Sequence, residues 1–123
     1  MATDFNSTGI EIGGKFTTAK AFCSFNGTGS ISINDDYGVS SLADNATGNY
    51  DINLDASTNS DDSCVSSGGY NAGTTTSSSG YTTRCIKTDG TIVHFYCLNV
   101  NEGESTSLDF YKCQMICFGD PHA

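Results

Sequence analysis

Apolar side chains recur in this chain at every second position. Ala19, Ala21, Cys23 and Phe25 fall on one side of an extended segment, as do Ile31 with Ile33, Tyr37 with Val39, and Tyr50, Ile52 and Leu54. Val93, Phe95 and Cys97 repeat the pattern, opposite Ile92, His94, Tyr96 and Leu98. A last series sets Leu108, Phe110, Lys112, Gln114, Ile116 and Phe118 against Tyr111, Cys113, Met115 and Cys117. Successive strand residues point to opposite faces, so a period of two marks sheet, whereas a helix would repeat every 3.6 residues. Asn-Gly, Thr-Gly, Asp-Gly and Gly-Gly steps punctuate the runs, and there is a single proline. The expectation is an all-β chain folded as an antiparallel β-sandwich, jelly-roll-like in architecture.

Register decides which half of each run is buried. Ile31 with Ile33 and Tyr50 with Ile52 and Leu54 are expected to face inward, with Ser30, Ser32 and Asn53 outward. In "FNGTG" the pair Asn26-Gly27 stands where a tight primed hairpin turn needs positive φ. "TDGT" (residues 88–91) does the same between Cys85 and Val93.

At 123 residues the chain is long enough for one domain that buries about two-thirds of its unfolded surface without a metal or a disulfide. Residues 1–15 are polar and glycine-bearing, and are expected as an extended docking arm ahead of a single β-sandwich domain over 16–123. Phe5, Ile10 and Ile12 are the apolar points of that arm and the candidate assembly interface. Ile10 and Ile12 alternate around Glu11, as a strand docking on a neighbouring subunit would. Two low-complexity stretches, "ASTNSDDS" (56–63) and "SSGGYNAGTTTSSSG" (66–80), are expected as surface loops. Tyr70 and Tyr81 frame the second and could stack on a sugar or receptor, which makes the 66–80 segment the candidate glycan loop.

Net charge is −9, with five Lys plus Arg spread along the chain. Proteins that grip phosphates concentrate basic residues, because counterion release supplies most of that affinity. No nucleic-acid partner is therefore expected, nor an anionic membrane surface. The first residues have no apolar core like that of a signal peptide, and no apolar run approaches membrane-spanning length. The expected place of synthesis and folding is the cytoplasm.

Six cysteines in a short secreted chain would suggest a disulfide scaffold. Here Cys113 and Cys117 lie four apart on one strand, roughly 13 Å at ~3.3 Å per residue, which is beyond disulfide reach. No C-x2-C pair offers a zinc site. Cys23, Cys64, Cys85 and Cys97 also fall in apparent strands, and the cysteines are expected as reduced, small core or interface residues. A cross-strand pair such as Cys85 with Cys97 stays open.

No catalytic, metal-binding or cofactor-binding residues are expected. His94 lies inside an apolar strand, and His122 has no partner at metal spacing. Asp35-Asp36 and Asp61-Asp62 read as turn caps, since the calcium-loop spacing is absent. Three N-x-[ST] sequons, at Asn6, Asn26 and Asn45, carry no sugar without secretion. "FGDPH" near the end lacks the domain that would give such a motif meaning.

The stretch "AKAFCSFNGTGSISINDDYGVSSLADNATGNYDINLD" (19–55) resembles a signature of exterior virion proteins of marine tailed phages, cyanophage tail-fibre-like proteins in particular. Lys20, Phe25 to Gly29, Val39 to Leu42, Asp44-Asn45 and Thr47 to Tyr50 fill the corresponding places. Phe22 stands where that family often has tryptophan, and beyond Leu54 only the strand order is shared. The resemblance implies a non-enzymatic β-sandwich module that forms homotrimers on the virion exterior. It supplies no catalytic residue. Because only a short arm precedes the module, a capsid decoration (cement) protein bound to the major capsid protein is expected. A short tail or tail-fibre component, with receptor or glycan binding through 66–80, is the alternative.

Overall fold

The computed structural model describes residues 3–6, 9–12, 15–16, 19–58, 63–69, 80–87, 90–101 and 104–118, and before residue 19 the description is of the backbone alone. The strands in chain order are β1 (Thr3–Asn6), β2 (Gly9–Ile12), β3 (Lys15–Phe16), β4 (Ala21–Asn26), β5 (Ser32–Tyr37), β6 (Val39–Ala46), β7 (Asn49–Thr58), β8 (Ser63–Gly69), β9 (Gly80–Lys87), β10 (Gly90–Asn101), β11 (Glu104–Ser107) and β12 (Lys112–Phe118). Every pairing among them is antiparallel. No helix occurs among the described residues.

β1, β2 and β3 form a small sheet in that order, over the stretch expected as an extended arm. The main body is two sheets. One has the order β5-β4-β12-β8; the other runs β6-β7-β10, with β9 on the far side of β10 and β11 continuing along the β7 side. The core lies between them and is built by alternation. Ala21, Cys23 and Phe25 of β4 and Cys113, Met115 and Cys117 of β12 face Tyr50, Ile52 and Leu54 of β7 and Val93, Phe95 and Cys97 of β10. The Phe25 ring meets those of Tyr50 and Phe95 edge-on, each with centroids 5.2 Å away. Such edge-to-face contacts match the positive ring edge to the negative face. Three aromatic rings thus lock one sheet against the other.

The inward face expected of β7 is the buried one, and on β4 and β10 the buried halves are Ala21, Cys23 and Phe25 and Val93, Phe95 and Cys97. On β12 it is the cysteine-bearing half that is buried, and Gln114, Ile116 and Phe118 face out. β5 departs from expectation. All of it is exposed, Ile33 included, because it is an edge strand whose register with β4 shifts between Ser24 and Phe25. Ile31, just before it, packs against the core.

Tyr37 and Val39 do not share a face. Gly38 adopts φ +68°, a conformation that side-chain-bearing residues rarely take. The chain turns there from one sheet into the other, leaving Tyr37 outside and Val39 in the core. The opposite edge closes by contact: Thr83 Oγ1 of β9 donates to Ser66 Oγ of β8 at 2.9 Å.

The turn chemistry at "FNGTG" also differs from expectation. Positive φ falls on Gly29, not on Gly27. Asn26 Oδ1 accepts from the Thr28 amide at 2.9 Å and from its hydroxyl at 2.6 Å, an Asx turn that stops β4. Gly27 is glycine for space, since a Cβ there would stand 2.4 Å from the Tyr50 hydroxyl. Asp35 and Asp36 lie within β5 and cap no turn; the Asp36 amide donates to Asp35 Oδ1. Strands reach into both stretches expected as loops. Ser66 to Gly69 belong to β8, Gly80 to β9, Ala56 to Thr58 to β7 and Ser63 to β8, whereas Asp61-Asp62 lie outside the described residues.

Candidate assembly surface

The outer face of the β5-β4-β12-β8 sheet carries the most distinctive surface feature. Register places Tyr37 opposite Phe22, Phe22 opposite Ile116, and Ile116 opposite Val65, one residue from each strand. These side chains form a continuous apolar row across the sheet, about 14 Å from first strand to last at ~4.8 Å per strand. Tyr37 is 50%, Val65 52% and Ile116 38% exposed, values that a solvated face would ordinarily give to polar residues. Phe22 and Tyr37 stack with centroids 6.3 Å apart. Phe118 extends the patch along β12 at 47% exposure.

The next row is polar. Asp35, Ser24, Gln114 and Ser67 stand side by side in the same register, and Ser67 Oγ donates to Gln114 Oε1 at 3.1 Å. A groove of about 240 Å³ lies here, lined by Phe22, Ser24, Val65, Ser67, Gln114 and Ile116 among others. An apolar strip flanked by hydrogen-bonding groups has the make-up of a contact surface, where apolar area supplies affinity and the polar border sets orientation.

The outer face of the other sheet is built differently. His94 Nδ1 lies 2.6 Å from Asp51 Oδ1, its direct cross-strand partner. The Arg84 guanidinium sits 5.1 Å above the Tyr96 ring, again a direct cross-strand pair. Here the outward groups satisfy one another, and Ile86 is exposed among them.

None of the residues expected to carry function belongs to the apolar row. Phe5 pairs with Ile10 and Ile12 with Thr3 in the β1–β2 ladder, and their side chains are outside the described part. Tyr70 also lies outside the described residues. Tyr81 is in β9, 37% exposed, and packs edge-on against Phe110 with centroids 6.0 Å apart. That contact gives Tyr81 a structural task. The apolar row escaped sequence reading because its members come from four strands distant in the chain; the signal available was the alternation of Ile116 and Phe118 with the cysteines.

All six cysteines are free thiols. Cys23, Cys97, Cys113 and Cys117 are in the core, and Cys64 and Cys85 are half-buried. Cys85 and Cys97 are not partners, since Cys85 lies opposite Phe95 and Cys97 opposite Thr83. Instead Cys85 Sγ lies 2.9 Å from Cys64 Sγ, and Cys97 Sγ 3.6 Å from Cys113 Sγ. Each pair joins one sheet to the other. Burial, with the Asp36 charge second, pushes the Cys23 thiol up to about 12. Among the described residues, no three His, Cys, Asp or Glu side chains gather as a metal would require.

Fold and surface together define an all-β protein of two antiparallel sheets with an apolar strip on one outer face. Comparison with protein-family models, curated proteins and solved structures finds no match to the chain.

Proposed function

We propose that this chain is a non-enzymatic structural protein of a tailed-phage virion exterior, working as a capsid decoration (cement) protein. In this reading it assembles as a homotrimer and binds the major capsid protein, with residues 1–15 contributing to the docking. The observation that supports it best is the row Tyr37, Phe22, Ile116 and Val65. A protein that spends its working life alone in water gains nothing from four apolar side chains aligned on an outer face. A protein that is covered by a neighbour does. The acidic charge of the chain keeps the unassembled copies apart in solution. The likeness of residues 19–55 to exterior phage proteins supplies the setting.

The test is the copy number per purified virion, measured by gel densitometry against the major capsid protein. About one copy per capsid subunit is the expected result. A few dozen copies or fewer would place the chain in the tail or a fibre and transfer interest to receptor or glycan binding. Absence from the particle would overturn both readings.

A further inference from the structure

Cys64 and Cys85 are set apart from the other four cysteines. They lie on β8 and β9, the edge strands through which the two sheets meet, and they are half-buried where the others are buried. Their sulfurs are 2.9 Å apart, inside the contact distance of two unbonded sulfurs and about 0.9 Å from bonding distance. We propose that this pair is a redox staple, which a low-molecular-weight disulfide such as oxidised glutathione closes into a bridge fastening β8 to β9.

The local chemistry assigns the two sulfurs different roles. In the neutral pair Cys85 Sγ donates to Cys64 Sγ; once Cys85 ionises the bond reverses, and a donating Cys64, aided by Ser66, holds the Cys85 thiol below its ordinary range. The same bond pushes the Cys64 thiol up. Cys85 is therefore the nucleophile, because the thiolate is the attacking form. It attacks one sulfur of glutathione disulfide, forming a mixed disulfide and releasing one glutathione thiolate. The negative charge on Cys85 is then gone, and with it the main cause that held the proton on Cys64; the neighbouring Lys87 charge favours release. Cys64 loses that proton and attacks the Cys85 sulfur, releasing the second glutathione. Two cysteine thiols are oxidised to one disulfide, one glutathione disulfide is reduced to two thiols, and two protons pass to the products. Cys97 and Cys113 also face each other, but both are buried in the core, out of reach of a solute the size of glutathione.

The full-length protein is incubated with oxidised glutathione, its remaining thiols are alkylated, and it is digested with trypsin without reduction. Cleavage after Lys20, Arg84, Lys87 and Lys112 leaves Cys85 in the tripeptide 85–87, Cys23 and Cys64 in 21–84, Cys97 in 88–112, and Cys113 with Cys117 in 113–123. The expected product joins 85–87 to 21–84, with intact mass lower by about 2 Da and melting temperature higher by roughly 5–10 °C, both reversed by reductant. Chymotrypsin, which cuts between Cys23 and Cys64, assigns the bridge in the unaltered protein. In Cys64→Ser the same treatment should stop at the glutathione adduct on Cys85. Complete alkylation of Cys85 after oxidation, an adduct on Cys85 that persists with Cys64 intact, or a link from Cys85 to any other cysteine would overturn the proposal.

Discussion

The hydroxyl of Tyr50 lies 2.7 Å from Oδ1 of Asp109, a residue 59 positions further along the chain. The same hydroxyl is 2.8 Å from the carbonyl of Gly27, and the Gly48 amide donates to Asp109 Oδ1 at 2.8 Å. One buried phenol thus joins the hairpin after β4, the start of β7 and the approach to β12. Tyr50→Phe removes the shared proton and leaves buried acceptors less satisfied, at a cost of about 1–3 kcal/mol. Gly27→Ala drives a Cβ into the same hydroxyl and costs about 1–3 kcal/mol by overpacking. In the double variant the clash is partly relieved, so urea unfolding should show less destabilisation than the sum of the two by about 0.5 kcal/mol or more. Strict additivity would mean that the two groups do not touch.

Stability should fall on the alkaline side. Burial, then Asp36, holds the Cys23 thiol at about 12 against an ordinary 9.0. Burial, then Asp109, pushes the Tyr50 phenol well above its ordinary 10.0. The unfolded chain releases these protons first, so it binds fewer than the folded chain and stability drops as pH rises. For Cys23 the contribution is complete below about pH 9 and is lost towards pH 12. Each such group adds up to about 1.4 kcal/mol of loss per pH unit within its window. The urea midpoint, followed from pH 8 to 10.5 with reductant present, should decline, and Cys23→Ala should lessen the slope. A level midpoint would contradict this account.

Gly38→Ala should destabilise by about 1–3 kcal/mol, because alanine pays for the left-handed backbone that glycine adopts freely. Its Cβ would also stand 2.8 Å from the Lys20 carbonyl oxygen. Thermal unfolding of the variant checks this directly, and an unchanged midpoint would show that the corner relaxes without cost.

The apolar row makes a prediction of the opposite kind. Ile116→Thr combined with Val65→Thr alters two exposed positions and should leave the unfolding free energy within about 0.5 kcal/mol per site. Self-association, read by light scattering, and occupancy on the particle should fall at least tenfold. Unchanged association would remove this face from the assembly.

The central strands were legible in the sequence because their alternation is local: Ala21, Cys23 and Phe25, or Val93, Phe95 and Cys97, announce a buried face within five residues. β5 was not. Nothing in "DYGVSS" distinguishes a strand that continues from one that turns a corner at Gly38, since the deciding quantity is a backbone torsion. Gly27 reads as a turn residue from sequence because the Tyr50 ring that crowds it is remote along the chain. The thiol pairs were hidden for the same reason. Cys64 and Cys85 belong to different sheets, and an opposition between sheets leaves no periodic trace. The apolar row likewise exists only once four strands have found their register.

The corner at Gly38 also makes the two sides of the protein mechanically unequal. There, a force that pulls the sheets apart is borne by covalent backbone. Along the β8–β9 side the two strands are separated by ten residues of chain, and the contacts described across the seam are between side chains, such as Thr83 with Ser66. The protein is bound like a book, with a one-residue spine at Gly38 and a longer span of chain between its leaves at the fore-edge. Pulled across its faces in a single-molecule experiment, it should open from β8 and β9, with the spine the last part to yield.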